Sequence, residues 1–258
     1  MSLSYEERKK TILELLEENG KVVVRKVEKL LNVSGETVRR DLERLEKEGF
    51  LKKVYGGAVK NRVTFELPFD QKTMLNAKEK SAICKKAAEL VEDSDVIFIG
   101  HGTTVLELVR FLNNKKNVTI ITPSLPVLLL ANEHFEGKII FLGGEFERDQ
   151  KFTSGPLEEM ALRHLKANKA FFSAGGISIE DGISDYDLSG ARSSRTMMER
   201  SNEVIVLADS AKFNLTTLAN IGKLSEVSII ITDKNCSDQM KMKLLEQNVE
   251  LIVSDEME

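Results

Sequence analysis

The chain has no tryptophan, three tyrosines, four prolines and two cysteines. Cys84 and Cys236 do not make a disulfide framework. An apolar core must therefore hold the fold, and 258 residues are ample for one. Few prolines beside 30% charged residues exclude a linker-like or low-complexity chain. Long uncharged runs are also missing. The longest, Asn117 to Asn132, holds Pro123, Pro126, Thr119, Thr122 and Ser124 and does not read as a membrane span. Glu6, Glu7, Arg8, Lys9 and Lys10 stand where a signal peptide would be apolar. A cytoplasmic protein with no membrane partner is expected. His101, His134 and His164 lie far apart, and none is spaced with cysteine as a metal ligand would be. No metal and no cofactor are expected.

Net charge is small and acidic, 37 Lys/Arg against 41 Asp/Glu, or −4. Taken alone, it argues against nucleic acid. Its distribution does not. Residues 21–60 hold 11 basic and 6 acidic residues, whereas residues 61–258 hold 23 and 30. Opposite signs in two parts of one chain suggest two tasks, one involving phosphates.

The basic part has helical punctuation. Ile12, Leu13, Leu15 and Leu16 among charges predict a helix over 4–19 that ends near Asn19-Gly20. Val24, Val27, Leu30 and Leu31 predict a short second helix. Ser34 is placed to cap a third, with Glu36 where the helix dipole favours a negative charge. The third helix should run to about Glu48 and stop at Gly49. At about 100° per residue, its Val38, Leu42 and Leu45 share one face, Arg40 and Arg44 point the other way, and Arg39 lies on the flank. Outward guanidiniums on a docked helix can reach phosphates or guanine edges in a major groove. Residues 50–59, with Lys52, Lys53, Tyr55, Gly56 and Gly57, read as a basic hairpin, a wing beside that helix. A basic helix in isolation is more often a solvated face. The order of elements, the Ser34 cap and the wing together favour DNA binding. Ser34 and Thr37 are expected near phosphates, Arg39, Arg40 and Arg44 on DNA, and Lys52, Lys53 and Tyr55 in the wing.

Residues 61–77, with Glu66-Leu67-Pro68-Phe69, have weak periodicity and read as a linker. From Lys78 onward, short apolar runs alternate with helical patterns: strands at 96–99, 118–121, 138–142, 170–173, 204–208, 227–231 and 249–253. Helices are expected at 78–91, 104–112, 125–132, 156–166, 188–201 and 238–247. The fold class is α/β: a mostly parallel-sheet sensor domain over 78–258 and a small winged helix-turn-helix domain over 1–60. Ligands of such sheets bind at loops leaving the carboxyl ends of strands. Gly100-His101-Gly102-Thr103-Thr104 is one such loop, with glycines for close backbone approach and hydroxyls for an anion. Ser124, Gly143, Gly144, Gly175 and Gly176 follow other strands, and some are only turns on the blander reading. Lys212 follows a further strand, either to reach a phosphate or simply to be solvated. Cys84, Phe171-Phe172 and Met197-Met198 read as core.

Val33-Ser34, Thr37-Val38-Arg39-Arg40-Asp41-Leu42, Leu45-Glu46, Gly49, Leu51 and Tyr55-Gly56-Gly57-Ala58 resemble the DeoR family of bacterial transcriptional repressors. The resemblance continues through Glu66-Leu67-Pro68-Phe69, Gly102-Thr103-Thr104, Ser124-Leu125-Pro126, Gly143-Gly144, Gly155-Pro156, Asp181-Gly182-Ile183 and Leu207-Ala208-Asp209-Ser210-Ala211-Lys212-Phe213. It implies an effector domain similar in fold to ribose-5-phosphate isomerase, binding a phosphorylated sugar or related metabolite. The family usually has His at Tyr55, Asn at Pro123, Glu at Gly190 and Lys at Ser194, and often Arg at Lys53. Sugar-phosphate isomerisation needs a carboxylate base. The corresponding loop here, Ser173-Ala174-Gly175-Gly176, has none, and Asp181 and Asp185 read as ordinary loop acids. No catalytic residue is expected. The reading is a repressor of a sugar-metabolism operon that binds a double-stranded DNA operator as a homo-oligomer. A sugar-phosphate isomerase carrying a DNA-binding domain is the alternative.

Overall fold

Ser4 begins the first helix by a reciprocal cap: its hydroxyl accepts the Glu7 N–H, and the Glu7 carboxylate accepts the Ser4 N–H at 2.7 Å. Helix α1 (Tyr5–Asn19) ends at Gly20, whose φ of 66° is a conformation that favours glycine. The computed structural model describes residues 4–47, 50–60 and 66–255. The chain divides into two units between Leu67 and Pro68.

In the first unit, β1 (Lys21–Val23) and α2 (Val24–Leu31) precede α3 (Gly35–Lys47), β2 (Leu51–Val54) and β3 (Gly57–Lys60). The Ser34 hydroxyl accepts the Thr37 N–H at 3.2 Å, so the predicted cap forms. The expected stop of this helix at Gly49 lies outside the described residues. The wing is three-stranded rather than two-stranded, in the order β1-β3-β2 and antiparallel throughout. Three residues of β1 are too few to show a period of two. Ile12, Leu16, Val27, Val38, Leu42, Leu45 and Leu51 form its core. Across it, Arg8 clamps Asp41 with Nε–Oδ2 at 2.6 Å and Nη2–Oδ1 at 3.0 Å. The adjacent carboxylate raises the Arg8 pKa above its ordinary value.

The second unit starts with α4 (Phe69–Thr73) and α5 (Ala77–Glu89). Of the stretch expected as a linker over 61–77, residues 66–77 are described, and they include α4. Residues 61–65 lie outside the described residues, but from Phe69 the chain is packed. Phe69 is buried and its N–H reaches the Asp149 carbonyl at 2.8 Å, while Lys80 Nζ donates to the Lys72 carbonyl at 2.6 Å. One buried aromatic, one backbone bond and one lysine side-chain bond hold a stretch whose periodicity is too weak to read.

Then follow β4 (Val96–Ile99), α6 (Thr103–Leu106), β5 (Thr119–Thr122), α7 (Leu125–His134), β6 (Lys138–Phe141), β7 (Glu145–Glu147), β8 (Phe152–Ser154), α8 (Pro156–Arg163) and β9 (Ala167–Ser173). The chain continues through β10 (Gly176–Ser178), β11 (Gly182–Asp185), α9 (Leu188–Glu199), β12 (Ser201–Leu207), β13 (Ala219–Gly222), β14 (Ile229–Thr232), α10 (Asp238–Glu246) and β15 (Glu250–Val253). The helix expected at 104–112 is the single turn α6 followed by a 3₁₀ turn, Glu107–Phe111.

Seven strands form one parallel sheet in the order β15-β14-β12-β9-β4-β5-β6. Alternate residues enter opposite layers, as in a sheet covered on both faces. Phe98 and Phe172 lie in one layer, and Ile97, Ile99 and Phe171 in the other. Met197 and Met198 join the first layer, as expected for core residues. From β4 the chain steps outward through β5 and β6, then returns to β9 and steps the other way. The order therefore reverses between β4 and β9, the kind of position at which such sheets bind ligands. Two small additions flank the sheet, the hairpin β7-β8 and the antiparallel set β10-β11-β13.

Candidate DNA-reading surface and effector site

Docking of α3 through Val38, Leu42 and Leu45 leaves Arg39 and Arg40 exposed. Arg40 Nη2 lies 3.5 Å from Glu36 Oε1, with both side chains largely in solvent, so the pair holds the guanidinium only weakly. Ser34 and Thr37 form the capped first turn, their hydroxyl oxygens 3.0 Å apart. Lys52, Lys53 and Tyr55 are exposed in the wing, with Tyr55 entirely in solvent at its tip. The Lys53 N–H donates to Glu46 Oε1 at 2.7 Å, which ties wing to helix. Arg44 differs from its neighbours: its guanidinium lies 3.9 Å above the Tyr5 ring and bridges α3 to α1.

In the second unit, the loop after β4 meets the loop after β9. Gly102 has a φ of 116°, and a Cβ there would lie 2.2 Å from Ser173 Oγ. Only glycine allows this approach, in which Ser173 Oγ donates to the His101 carbonyl at 3.0 Å. Thr103 adds a buried hydroxyl. Gly175 packs against the Tyr186 ring, and the Lys212 ammonium lies 5.6 Å from that ring's centre. Lys80 is buried nearby, in the field of Asp209, Lys212, Lys72 and Glu107. Burial chiefly lowers its pKa to about 8, Asp209 opposes this, and the neighbouring lysines add to it. Gly102 and Gly175 thus lie on the two loops of the switch point, Thr103 opens α6 after the first, and Lys212, beyond β12, stands by Tyr186 beside the second.

The other expected residues are placed differently. Gly100 is a packing glycine, since its Cβ would meet Phe172 Cβ at 2.9 Å. Thr104 is buried and its carbonyl accepts the Cys84 thiol. Cys84 is itself fully buried, and burial pushes its pKa well up. Gly176 lies in β10, where a Cβ would meet the Leu215 carbonyl. Ser124 caps α7 through the Val127 N–H at 3.4 Å. Gly143 and Gly144 are exposed beyond β6, the edge strand, and Gly144 backs onto Ser154 and Glu158. The carbonyl of Pro123 accepts both the N–H and the hydroxyl of Thr153.

Beside these loops lies a buried polar cluster that sequence reasoning missed. His101 Nε2 stands 3.2 Å from Asp185 Oδ2, both nearly inaccessible, and the imidazole stacks on Phe152 with ring centres 4.2 Å apart. The reading of Asp185 as an ordinary loop acid is corrected. A Cβ on Gly190 would fall 2.8 Å from the His101 ring and 3.0 Å from Asp185 Oδ2. The pair fills the space that a larger residue at 190 would use. Next to it, Ser193 Oγ donates to Glu158 Oε1 at 2.7 Å, while Glu158 Oε2 is buried with no hydrogen-bond partner among the described residues. Burial, with a smaller push from Glu159, raises the Glu158 pKa to about 7 against the pull of Ser193 and His101. Glycine at position 190, where the resemblance implies glutamate, was the one available signal.

The two units define a winged helix-turn-helix DNA reader and a doubly wound α/β sensor. Residues 8–64 match the DeoR-like helix-turn-helix domain and residues 75–234 the DeoR C terminal sensor domain, so the chain belongs to the DeoR family of transcriptional regulators. It is 32% identical to the HTH-type transcriptional regulator IolR of Bacillus subtilis over 221 residues, 86% of this chain and 88% of that one. It is 34% identical to the lactose phosphotransferase system repressor of Staphylococcus epidermidis over 246 residues, 93% and 96% of the two chains. Among solved structures, ribose 5-phosphate isomerase A of Methanocaldococcus jannaschii overlaps 54% of this chain and 55% of its own, with a TM-score of 0.40 and 22% identity. At that overlap the likeness assigns no activity to this chain.

Proposed function

We propose that this regulator represses a sugar-metabolism operon and that a phosphorylated sugar or related metabolite controls it. Ser34, Thr37, Arg39, Arg40 and Arg44 act on the operator from α3, and Lys52, Lys53 and Tyr55 from the wing. The observation that carries this reading is the pair of exposed guanidiniums, Arg39 and Arg40, on a capped helix flanked by a basic wing. Relatives named as repressors, one of a lactose phosphotransferase system, support the repressing role and the sugar link. The effector's phosphate is received by Lys212 and the Gly102-Thr103 loop, with Lys80, in the field of Lys212, as a further cation. We propose no catalytic step. Asp185 is engaged by His101 and Glu158 is buried, so neither carboxylate is presented as a base. The protein works in the cytoplasm as a homo-oligomer, because groove readers of this type occupy paired half-sites.

Operator binding measured across salt concentrations tests the reading. Affinity falls steeply as salt rises, because neutralised phosphates release counterions. Changing Arg39 and Arg40 to Ala together removes specific binding and flattens the salt slope by about two contacts. Arg44→Ala weakens binding less, since that guanidinium is already stacked on Tyr5. Unchanged operator affinity in the double variant would remove the DNA assignment.

A further inference from the structure

The α/β unit carries a cavity of about 430 Å³ that shares no residue with the effector loops. Its apolar walls include Phe69 of α4, Leu125 and Leu129 of α7, and Phe146 of β7. Arg148 and Lys151, from the turn between β7 and β8, line it as well. The walls are tied to one another. The Phe69 N–H reaches the Asp149 carbonyl at 2.8 Å, and the Leu125 N–H reaches the Lys151 carbonyl at 3.0 Å. Both α4 and α7 are thus fixed to the same turn, and the cavity is preformed. Its size falls in the ordinary range for small-molecule sites, about 300–1,000 Å³.

Two of the apolar side chains stand well out in water, Leu129 57% and Phe146 45% exposed. An apolar body seated on them removes that surface from water. Alternation along β7 sends Glu145 and Glu147 to the face opposite Phe146, and neither lines the cavity. The two cations differ. The Lys151 ammonium pairs with the Asp70 carboxylate and lies 5.7 Å from the centre of the Phe69 ring. Arg148 is exposed and has no hydrogen-bond or ion-pair partner among the described residues. With Lys151 offset by Asp70, the walls carry one unbalanced positive charge. It sits on a planar guanidinium, which matches a carboxylate through two parallel hydrogen bonds.

We infer that this cavity binds a small monocarboxylate with an apolar body, its carboxylate on Arg148 and its body against Phe69, Leu129 and Phe146. The occupant differs in class from the effector proposed above, and its site does not depend on that one. A sugar phosphate would set hydroxyls against apolar walls and bring more negative charge than one guanidinium balances. Binding stabilises the folded α/β unit by mass action, which gives a second readout beside affinity.

The test titrates the full chain with 3-phenylpropionate and with octanoate by calorimetry. Acetate, a carboxylate without the body, and 3-phenyl-1-propanol, a body without the charge, are the controls. One equivalent of at least one of the two acids is expected to bind, about tenfold or more tighter than either control. Arg148→Gln should bring the acid down to the level of the alcohol. Leu129→Asp, which sets a carboxylate in the apolar wall, should abolish binding. Both positions are exposed, so both variants should keep the wild-type melting temperature without ligand and lose the rise that the acid gives the wild type. The comparison of acid with alcohol uses the wild type alone and stands if a variant folds poorly. Binding of neither acid, an alcohol bound as tightly as its acid, or binding that survives both substitutions overturns the site. So does displacement of the acid by glucose 6-phosphate, which would place it on the effector loops. Affinity that falls as protein concentration rises would show copies of the chain covering the cavity, and would overturn it too.

Discussion

A single carboxyl group shows how burial becomes behaviour. Glu158 is held near 7, above its ordinary 4.5, chiefly because its ionised form is desolvated. Between those two values the folded state binds more proton than the unfolded chain. Stability therefore falls as pH rises from about 4.5 through 7 and is level above. The span corresponds to a loss on the order of 3 kcal/mol. Glu158→Gln has no proton to lose. Its melting temperature should match the wild type near pH 4.5 and exceed it by several degrees at pH 8. Parallel pH–melting curves for the two proteins would contradict this account of the site.

At the scale of elements, the wing depends on one glycine. A Cβ on Gly57 would lie 2.0 Å from the Val22 carbonyl oxygen, where β1 lies against β3. Backbone cannot yield as a flexible side chain does, so Gly57→Ala must part the two strands. The expected cost is about 1–3 kcal/mol, in the range of overpacked sites. Denaturant unfolding should show it in the first unit only, with weaker operator binding. Hydrogen exchange at the Val22 and Val59 amides, on the paired strands, would report the same opening. An Ala variant as stable as the wild type would mean that β1 does not pack as described.

Apolar content explains what could be read in advance. Helices α1, α3, α5 and α9 show their period, and the seven parallel strands carry apolar runs although five of them have only four residues. Strands β7, β8, β10, β11 and β13 lack such runs and β1 has three residues, so their pairing comes from tertiary contact. The candidate site divides the same way. Glycines after strands marked Gly102 and Gly175, and Lys212 stood out as a basic residue at a strand end. His101 with Asp185, and Glu158 with Ser193, were hidden because each pair joins two separate elements. Glycine signals were also ambiguous. Gly100 and Gly176 serve close packing rather than exposing backbone to a ligand.

For the whole molecule, the net charge of −4 describes neither part. Residues 21–60 carry a basic surplus and residues 61–258 an acidic one. An acidic sensor discourages nonspecific contact with DNA and leaves the operator to the basic reader. The two tasks are joined only through a difference in affinity. An effector shifts operator binding only as far as it prefers one state of the protein. Linkage then requires reciprocity: if effector changes operator affinity by some factor, operator must change effector affinity by the same factor. Regulatory couplings of this kind typically span about 5- to 150-fold. The check is a closed cycle on the full chain, with operator affinity measured with and without a saturating phosphorylated sugar and the sugar's affinity measured with and without saturating operator duplex. Equal factors are expected, below one for a repressor released by its effector and above one for one assisted by it. A factor of one on both legs would reduce the α/β unit to a scaffold for assembly. Unequal factors would show that the ligand also binds outside the site that communicates with DNA.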